Sequence, residues 1–318
     1  MHYHLLKIYV RAAIHLFCHS IYIDKKELLS IEGPLLIASN HPNSFLDAII
    51  FDIVFDIPIT SLARGDAFRN KKVFRVLRSL KMLPIYRIRE GAENLNTNYE
   101  TFDTCIDLFK QREAVLIFSE GLCVNEWHLR PLKKGTARLA FKAWSEGIPL
   151  KVLPAGINYS SFKKYGKAVH ILFGDVITAE EADLQQSDGL NYALFNKTLK
   201  SRLQPLVYEI NSGDTKTLKK KFGLTSTLRK VLLAPLALAG AILNAPVYGS
   251  VKYAGKVVFG KTDHYNAVVF GLLLLSYPIY LAILTTIAYS LLGQWGLLTI
   301  IALPLTALCY MKYEIRLD

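Results

Sequence analysis

His41 and Asp47 are the two side chains of this 318-residue chain best suited to moving a proton, an imidazole with a carboxylate six residues later. A neutral imidazole titrates near physiological pH, and a carboxylate on one ring nitrogen orients it and stabilises its protonated form. Six helical steps leave two residues about 120° apart, so the pair cannot meet across one helix face. They meet only if His41 sits in a turn ahead of a helix. Pro42 favours such a break, and Ser44 is a good N-cap that places Asp47 in the first turn. The carboxylate then reaches back to one imidazole nitrogen and leaves the other as a general base, as in the His–Asp half of a hydrolase triad. The same residues also fit a plain capping pair, Ser44 with Asp47, beside a turn histidine. Spacing alone does not choose between the two.

The elements that must position these groups are legible as short apolar runs alternating with amphipathic stretches between Pro34 and Phe173. Strands are predicted at Leu35–Ser39, Ile59–Ala63, Leu83–Tyr86, Ala114–Phe118, Val152–Ile157 and Val169–Phe173. Helical spacing occupies Ala67–Leu80, Leu95–Gln111 and Leu132–Glu146, and Asn191–Ile210 reads as a further helix. Alternation of this kind predicts an α/β fold with a central β-sheet flanked by helices. Functional groups in open α/β sheets gather past the carboxyl ends of strands. That rule selects three places: Asn40 to Asp47, Ser119-Glu120-Gly121, and Arg87.

The rest of the chain looks built for a bilayer. No Asp, Glu, Lys or Arg occurs between Asn266 and Met311. As one helix that run would extend roughly 70 Å against an apolar bilayer core of about 30 Å, so it predicts two spans with a break near Gly293-Gln294-Trp295. Val231–Val251 is also uncharged but contains Pro235, Asn244 and Pro246, which suits a re-entrant or interfacial segment better than a span. The N-terminal stretch Leu5–Tyr22 is apolar nearly all round, with Lys7 and Arg11 on one side. It fits a helix lying in the interface, and a buried core helix equally. The expected organisation is an interface helix over 1–30, an α/β domain over 31–210, a basic linker over 211–230, and a membrane region over 231–318 with spans at 266–292 and 295–311. The net charge is +12. With a membrane hairpin present, that excess points to anionic lipid, and no aromatic–basic repeat or zinc spacing supports nucleic acid. If only the hairpin spans, the Lys219–Lys230 cluster, Lys252–Lys261 and Lys312–Arg316 all lie on one side, the cytoplasmic one.

The four cysteines are scattered and fit a reducing compartment, and no cleavable signal peptide is evident. His15, Cys18 and His19 have helical ligand spacing but no acidic partner nearby, so no metal is expected. Cys123 lacks an evident activating base and reads as structural. Lys133, Lys134 and Arg138 suit phosphate or anionic headgroups. Tyr265, Trp295, Tyr310 and Tyr313 fit interfacial belts.

Asn40-His41-x-x-Ser44-x-x-Asp47 after an apolar strand, then Arg87, then Phe118-Ser119-Glu120-Gly121, then Val152-Leu153-Pro154-Ala155-Gly156, resembles the lysophospholipid/glycerol-phosphate acyltransferase superfamily over about residues 35–160. Pro131 to Arg138 resembles the Lys-x-Gly-x-Ala segment that follows the third block. The resemblance implies a membrane-bound transfer of a fatty acyl group from a thioester to a lipid hydroxyl, with 1-acylglycerol 3-phosphate giving phosphatidate as the leading acceptor. Glycerol 3-phosphate, other lyso-lipids including amino-acid-headed ones, and an inactive scaffold of the same fold are the alternatives. A hydrolase is disfavoured, since no Ser or Cys stands in a nucleophile-elbow context. By resemblance, His41 is the general base and Asp47 its partner. Arg87 pairs with the acceptor phosphate, Arg64 and Lys133 assist, and Glu120 and Gly121 shape the acceptor site, with the Gly121 amide a candidate anion donor. No bound cofactor or metal is implied. Acyl-CoA or acyl carrier protein is the expected co-substrate, and a bacterial inner membrane, with the catalytic domain on its cytoplasmic face, the expected location. The chain departs from the usual pattern in having five rather than four residues between His41 and Asp47, a form similar to the fungal-type glycerol-phosphate acyltransferases. Ser119 stands where proline is usual, and Leu122 and Cys123 replace small polar or arginine residues.

Overall fold

The computed structural model of the chain describes residues 2–68, 71–86, 95–182 and 188–318. Seven strands form one sheet: β1 (Cys18–Ile23), β2 (Leu35–Ser39), β3 (Ile59–Arg64), β4 (Met82–Ile85), β5 (Ala114–Phe118), β6 (Lys151–Tyr159) and β7 (Lys167–Phe173), in the spatial order β1-β7-β6-β2-β5-β3-β4. Neighbours are parallel except the antiparallel pair β6 and β7. The central strand β2 is buried at all five positions, as an unbroken apolar run covered on both faces must be. Its last residue, Ser39, stands beside Phe118, the last residue of β5, so these two strands end level, while β6 passes Ser39 at Ala155 and runs on to Tyr159.

Two apolar layers cover the sheet. On one face, Leu35, Ile37, Leu116, Leu153, Ala155 and Ile157 pack against α1 (His2–Phe17) and α2 (Phe45–Val54). On the other, Leu36, Ala38, Val115 and Val152 pack against α4 (Leu95–Lys110), α5 (Gly135–Ser145) and α6 (Asp188–Leu203). A short α3 (Lys71–Ser79) leads from β3 to β4. The six expected strands and the flanking helices all occur close to their predicted limits, except that the helix expected to reach Ile210 ends at Leu203.

The first difference is β1. The stretch expected to stay helical to Tyr22 leaves the helix at Phe17 and pairs in parallel with β7. Ile21, Tyr22 and Ile23 suit a pleated strand, and the open edge of β7 supplies the ladder, so tertiary pairing overrides local pattern. Cys18 and His19 therefore lie on a strand, and the helical ligand spacing with His15 disappears.

The second difference lies beyond residue 211. The expected basic linker contains a helix, α7 (Thr215–Phe222), capped by Asp214, whose Oδ1 accepts from the Thr217 amide at 3.0 Å, and held by buried Leu218 and Phe222. The stretch 231–251, expected to be re-entrant or interfacial, lies within a longer helix. Thr227–Phe259 is one continuous helix, α8, running through Pro235 and Pro246. Close to Pro246, the Leu243 carbonyl accepts from the Tyr280 hydroxyl at 2.6 Å and the Gly240 carbonyl accepts from Asn244 at 2.9 Å. α9 (Tyr265–Leu292) ends at Gly293, whose φ of 60° breaks the run where expected. A short 3-10 turn follows, then α10 (Thr299–Tyr313). Thr227–Phe259 and the Tyr265–Tyr313 run are both long and apolar enough to cross a membrane.

These helices are stitched back to the sheet domain. Lys230 at the start of α8 pairs with Glu314 after α10 at 2.6 Å, and the Tyr248 ring in mid-helix lies 5.0 Å from that of Tyr165. α9 also begins at the domain, where Val269 and Phe270 are buried.

Candidate active site

The site forms where β2 and β5 end side by side. The chain leaves β2 at Ser39, and the buried Asn40 side chain fixes the exit by donating to the Ile157 carbonyl at 3.0 Å and accepting from its amide at 2.8 Å. His41 follows in a turn and α2 begins at Phe45, which brings Asp47 back under the imidazole. His41 Nδ1 and Asp47 Oδ2 are 2.9 Å apart, with the His41 side chain 19% exposed and Asp47 fully buried. The structure thus brings together the pair singled out by chemistry and spacing.

Asp47 is fully engaged as an acceptor. Oδ2 also takes the Asn43 amide at 2.8 Å, and Oδ1 takes the Tyr159 hydroxyl at 2.6 Å. Burial and the adjacent carboxylate push the Tyr159 hydroxyl well above its ordinary pKa, so it remains a donor. The His41 ring stacks on Phe118 with centroids 3.8 Å apart and planes 13° from parallel. Among the described residues no hydrogen bond reaches Nε2. A positioned imidazole, anchored through one nitrogen and open at the other, is the geometry of a general base.

The Ser44 side chain does not cap α2. Its backbone holds φ 54° and ψ −139°, and its hydroxyl meets His264 Nδ1 at 2.7 Å instead. The Asn43 amide, not a Ser44 cap, is what joins this turn to Asp47. A non-glycine residue in that region costs about 1–3 kcal/mol and persists only where its surroundings over-determine it.

Glu120 is 4% exposed and faces main chain. Its Oε2 accepts from the His41 amide at 2.7 Å and its Oε1 from the Arg130 amide at 2.8 Å. Burial raises its pKa, while the Arg130 and His41 amides act in the opposite direction. Its carboxylate thereby joins the turn carrying His41 to the loop after β5. The Gly121 amide is engaged with the Phe118 carbonyl at 3.1 Å in a turn with φ 62°, a conformation that suits glycine, so it is not the anion donor expected of it. Lys133 is exposed, and a Cβ at Gly121 would lie 3.1 Å from its Cγ, so its stem covers the glycine. Arg64 ends β3, half-exposed and ion-paired with Asp66. Arg87 lies outside the described residues.

Cys123 is no nucleophile here. Its Sγ accepts from the Ser44 amide at 3.0 Å, and burial followed by the Asp47 charge raises the thiol pKa. Among the described residues no cluster of three or more His, Cys, Asp or Glu is placed to hold a metal.

Sequence reasoning missed Tyr159, Asn43 and the start of α9. Tyr159 had a signal, since Leu153, Ala155, Ile157 and Tyr159 alternate along one face of β6 and pack into the same core as α2. His264 had none, lying 220 residues from its partner Ser44.

Comparison with known proteins gives the following similarities. A family model described as acyltransferase matches residues 17–158. A 1-acyl-sn-glycerol-3-phosphate acyltransferase of Bacillus subtilis is 25% identical over 185 residues, covering 58% of this chain and 86% of that protein. The crystal structure of the 1-acyl-sn-glycerophosphate acyltransferase PlsC from Thermotoga maritima aligns with a TM-score of 0.42 at 15% identity, over 58% of this chain and 70% of that one. The matched segment carries the His41–Asp47 turn and the Glu120 clamp, and the two sequence matches support the lysophospholipid acyltransferase superfamily for this part of the chain.

Proposed function

We propose that the chain transfers a fatty acyl group from a thioester donor, acyl-CoA or acyl carrier protein, to the hydroxyl of 1-acylglycerol 3-phosphate, giving phosphatidate. The observation that carries this reading is the His41–Asp47 contact of 2.9 Å at the carboxyl edge of the sheet, with Nε2 unbonded among the described residues. Nε2 takes the proton from the acceptor hydroxyl as its oxygen attacks the thioester carbonyl, and the imidazolium formed is paired with Asp47. Collapse of the tetrahedral adduct breaks the C–S bond, and the imidazolium returns the proton to the leaving thiolate. The lipid oxygen is the nucleophile, so no acyl-enzyme forms.

Arg64, Arg87 and Lys133 are the proposed cations for the acceptor phosphate, Arg64 exchanging its Asp66 partner for it. Membrane attachment is proposed through the α9–α10 hairpin, with α1 and α8 at the interface. Contacts of α8 with the domain at Lys230 and Tyr248 support that placement. Basic residues grouped at the domain end of the helices favour the cytoplasmic face, of a bacterial inner membrane in this proposal.

The test is transfer of labelled acyl from acyl-CoA to 1-acylglycerol 3-phosphate in vesicles, with glycerol 3-phosphate and a neutral lyso-lipid competing. His41→Ala is expected to lower kcat by about 10²–10⁴-fold, the usual worth of a positioned general base. Equal rates for variant and wild type would sink the assignment of His41. No transfer from either acyl-CoA or acyl carrier protein would replace the enzyme with a membrane scaffold.

A further inference from the structure

The turn that presents His41 is hung on the membrane region. Two polar side chains at the start of α9, His264 and Asn266, meet that turn directly, and Asp263 reaches it through Asn125. Asp263 accepts from the Asn125 amide at 3.2 Å, and the Asn125 side chain donates to the Pro42 carbonyl at 2.6 Å and the Asp263 carbonyl at 3.3 Å. His264 Nδ1 meets the Ser44 hydroxyl at 2.7 Å. Asn266 Oδ1 accepts from Asn43 Nδ2 at 3.4 Å. A membrane anchor has no need of polar contacts with a catalytic turn. The turn does need them, because Ser44 is held at φ 54° and ψ −139°. The Ser44 carbonyl accepts the Asp47 amide at 3.1 Å, and the Asn43 amide donates to the Asp47 carboxylate, so any relaxation at Ser44 moves the partner of His41.

We infer that His264, supplied by the start of the membrane hairpin, is a positioning residue that locks Ser44 and thereby sets the His41–Asp47 geometry. The acyltransferase domain proper, which the family model ends at residue 158, is on this inference catalytically incomplete without the first residues of α9. The lock is a neutral imidazole exchanging one hydrogen bond with a hydroxyl. Burial, then the Arg64 charge, lower the His264 pKa, with the neighbouring Asp263 carboxylate acting in the opposite direction. For its kinetic arm the inference rests on the transferase reading above.

The experiment uses the full chain in lipid vesicles with four variants: His264→Ala, His264→Gln, His264→Asn and Ser44→Ala, plus the His264→Ala/Ser44→Ala double variant. Asparagine places an amide oxygen where Nδ1 stands, whereas glutamine carries it one atom too far. Kinetically, His264→Ala and Ser44→Ala are each expected to lower kcat by about 10–10²-fold, in the range reported for small misplacements of catalytic groups, with KM changed less than about threefold. The double variant should fall no further than the lower single one, and His264→Asn should recover most of the rate where His264→Gln does not.

A second readout needs no turnover. The Ser44 amide donates to Cys123 Sγ at 3.0 Å, and Cys18, Cys105 and Cys309 are buried. Maleimide labelling mapped to the Cys123 peptide should quicken several-fold in His264→Ala, His264→Gln and Ser44→Ala, and stay at the wild-type rate in His264→Asn. Wild-type kcat and labelling in His264→Ala, or single losses that multiply in the double variant, would overturn the inference. If the wild type transfers no acyl group, the transferase reading fails and labelling alone decides the role of His264. Should His264→Ala not fold, the contrast of Asn with Gln carries the same decision.

Discussion

At the level of single residues, the His41 base is only as good as the carboxylate behind it, and that carboxylate is held by three donors rather than by His41 alone. The Tyr159 hydroxyl contributes the shortest of these, at 2.6 Å. Tyr159→Phe leaves one oxygen of a buried carboxylate without a donor, which costs about 1–3 kcal/mol of stability. It also frees Asp47 to turn, so kcat should fall about tenfold with the KM for both substrates little changed, as expected when an interaction matters chiefly in the transition state. Asp47→Asn should cost more, about 10²-fold or beyond, because the amide can no longer stabilise the imidazolium. Steady-state kinetics on the two variants side by side check the ranking. Parity of Tyr159→Phe with wild type would remove Tyr159 from the site. The residue types and spacing announced His41 and Asp47. They did not announce Tyr159, because a tyrosine at the end of an apolar strand reads as core until the sheet order sets β6 beside β2.

Among the elements, the close approaches of the C-terminal helices matter most. A Cβ placed on Gly240 of α8 would lie 2.1 Å from the Thr306 carbonyl oxygen of α10, and one on Gly255 would lie 2.9 Å from a Val269 methyl of α9. Small residues let helix backbones come this near, and within a bilayer such packing is a main source of helix association. Backbone cannot step aside as a side-chain tip can, so Gly240→Ala should part α8 from α10 at a cost of about 1–3 kcal/mol. Lower thermal stability in micelles and faster proteolysis within Thr227–Phe259 are the expected signs. An unchanged melting point would mean that the two helices do not pack as described. The sequence did mark these helices as apolar and uncharged. Its two prolines argued for a re-entrant or interfacial segment at 231–251, and the structure places that stretch within one continuous helix, α8.

For the whole molecule, a buried lysine ties pH to stability. Lys167 on β7 is fully buried, and its Nζ contacts the Phe162 carbonyl at 3.1 Å and Asn266 Oδ1 at 2.6 Å, with no carboxylate in hydrogen-bond range among the described residues. Desolvation lowers its pKa from 10.5 to about 7. Below pH about 7 both folded and unfolded chains carry the proton, and the folded state bears the full burden of a buried charge. Between there and the unfolded value the unfolded chain binds more protons, so stability rises with pH, by at most on the order of 5 kcal/mol. Lys167→Met should therefore be more stable than wild type at pH 6–7, with the advantage shrinking by pH 9. Thermal unfolding of both proteins across that range checks it, and an advantage that grew with pH would contradict the burial of a neutral amine.

What the sequence determined by itself was whatever depends on neighbours along the chain. The alternation of apolar runs with amphipathic stretches gave an α/β sheet, the uncharged run from Asn266 to Met311 gave two apolar helices with a break between them, and the His-x5-Asp turn gave the His41–Asp47 pair. Those signals are local, because periodicity, turn chemistry and the reach of a side chain over six residues act within one or two elements. Tertiary structure decided what depends on residues distant in sequence. It turned Cys18–Ile23 into an edge strand by offering β7 as a partner, made Glu120 a clamp on the His41 amide, and set the start of α9 beneath the catalytic turn. None of these has a local signature. A buried carboxylate or a strained serine takes its role from whichever donor the completed fold brings within hydrogen-bond distance.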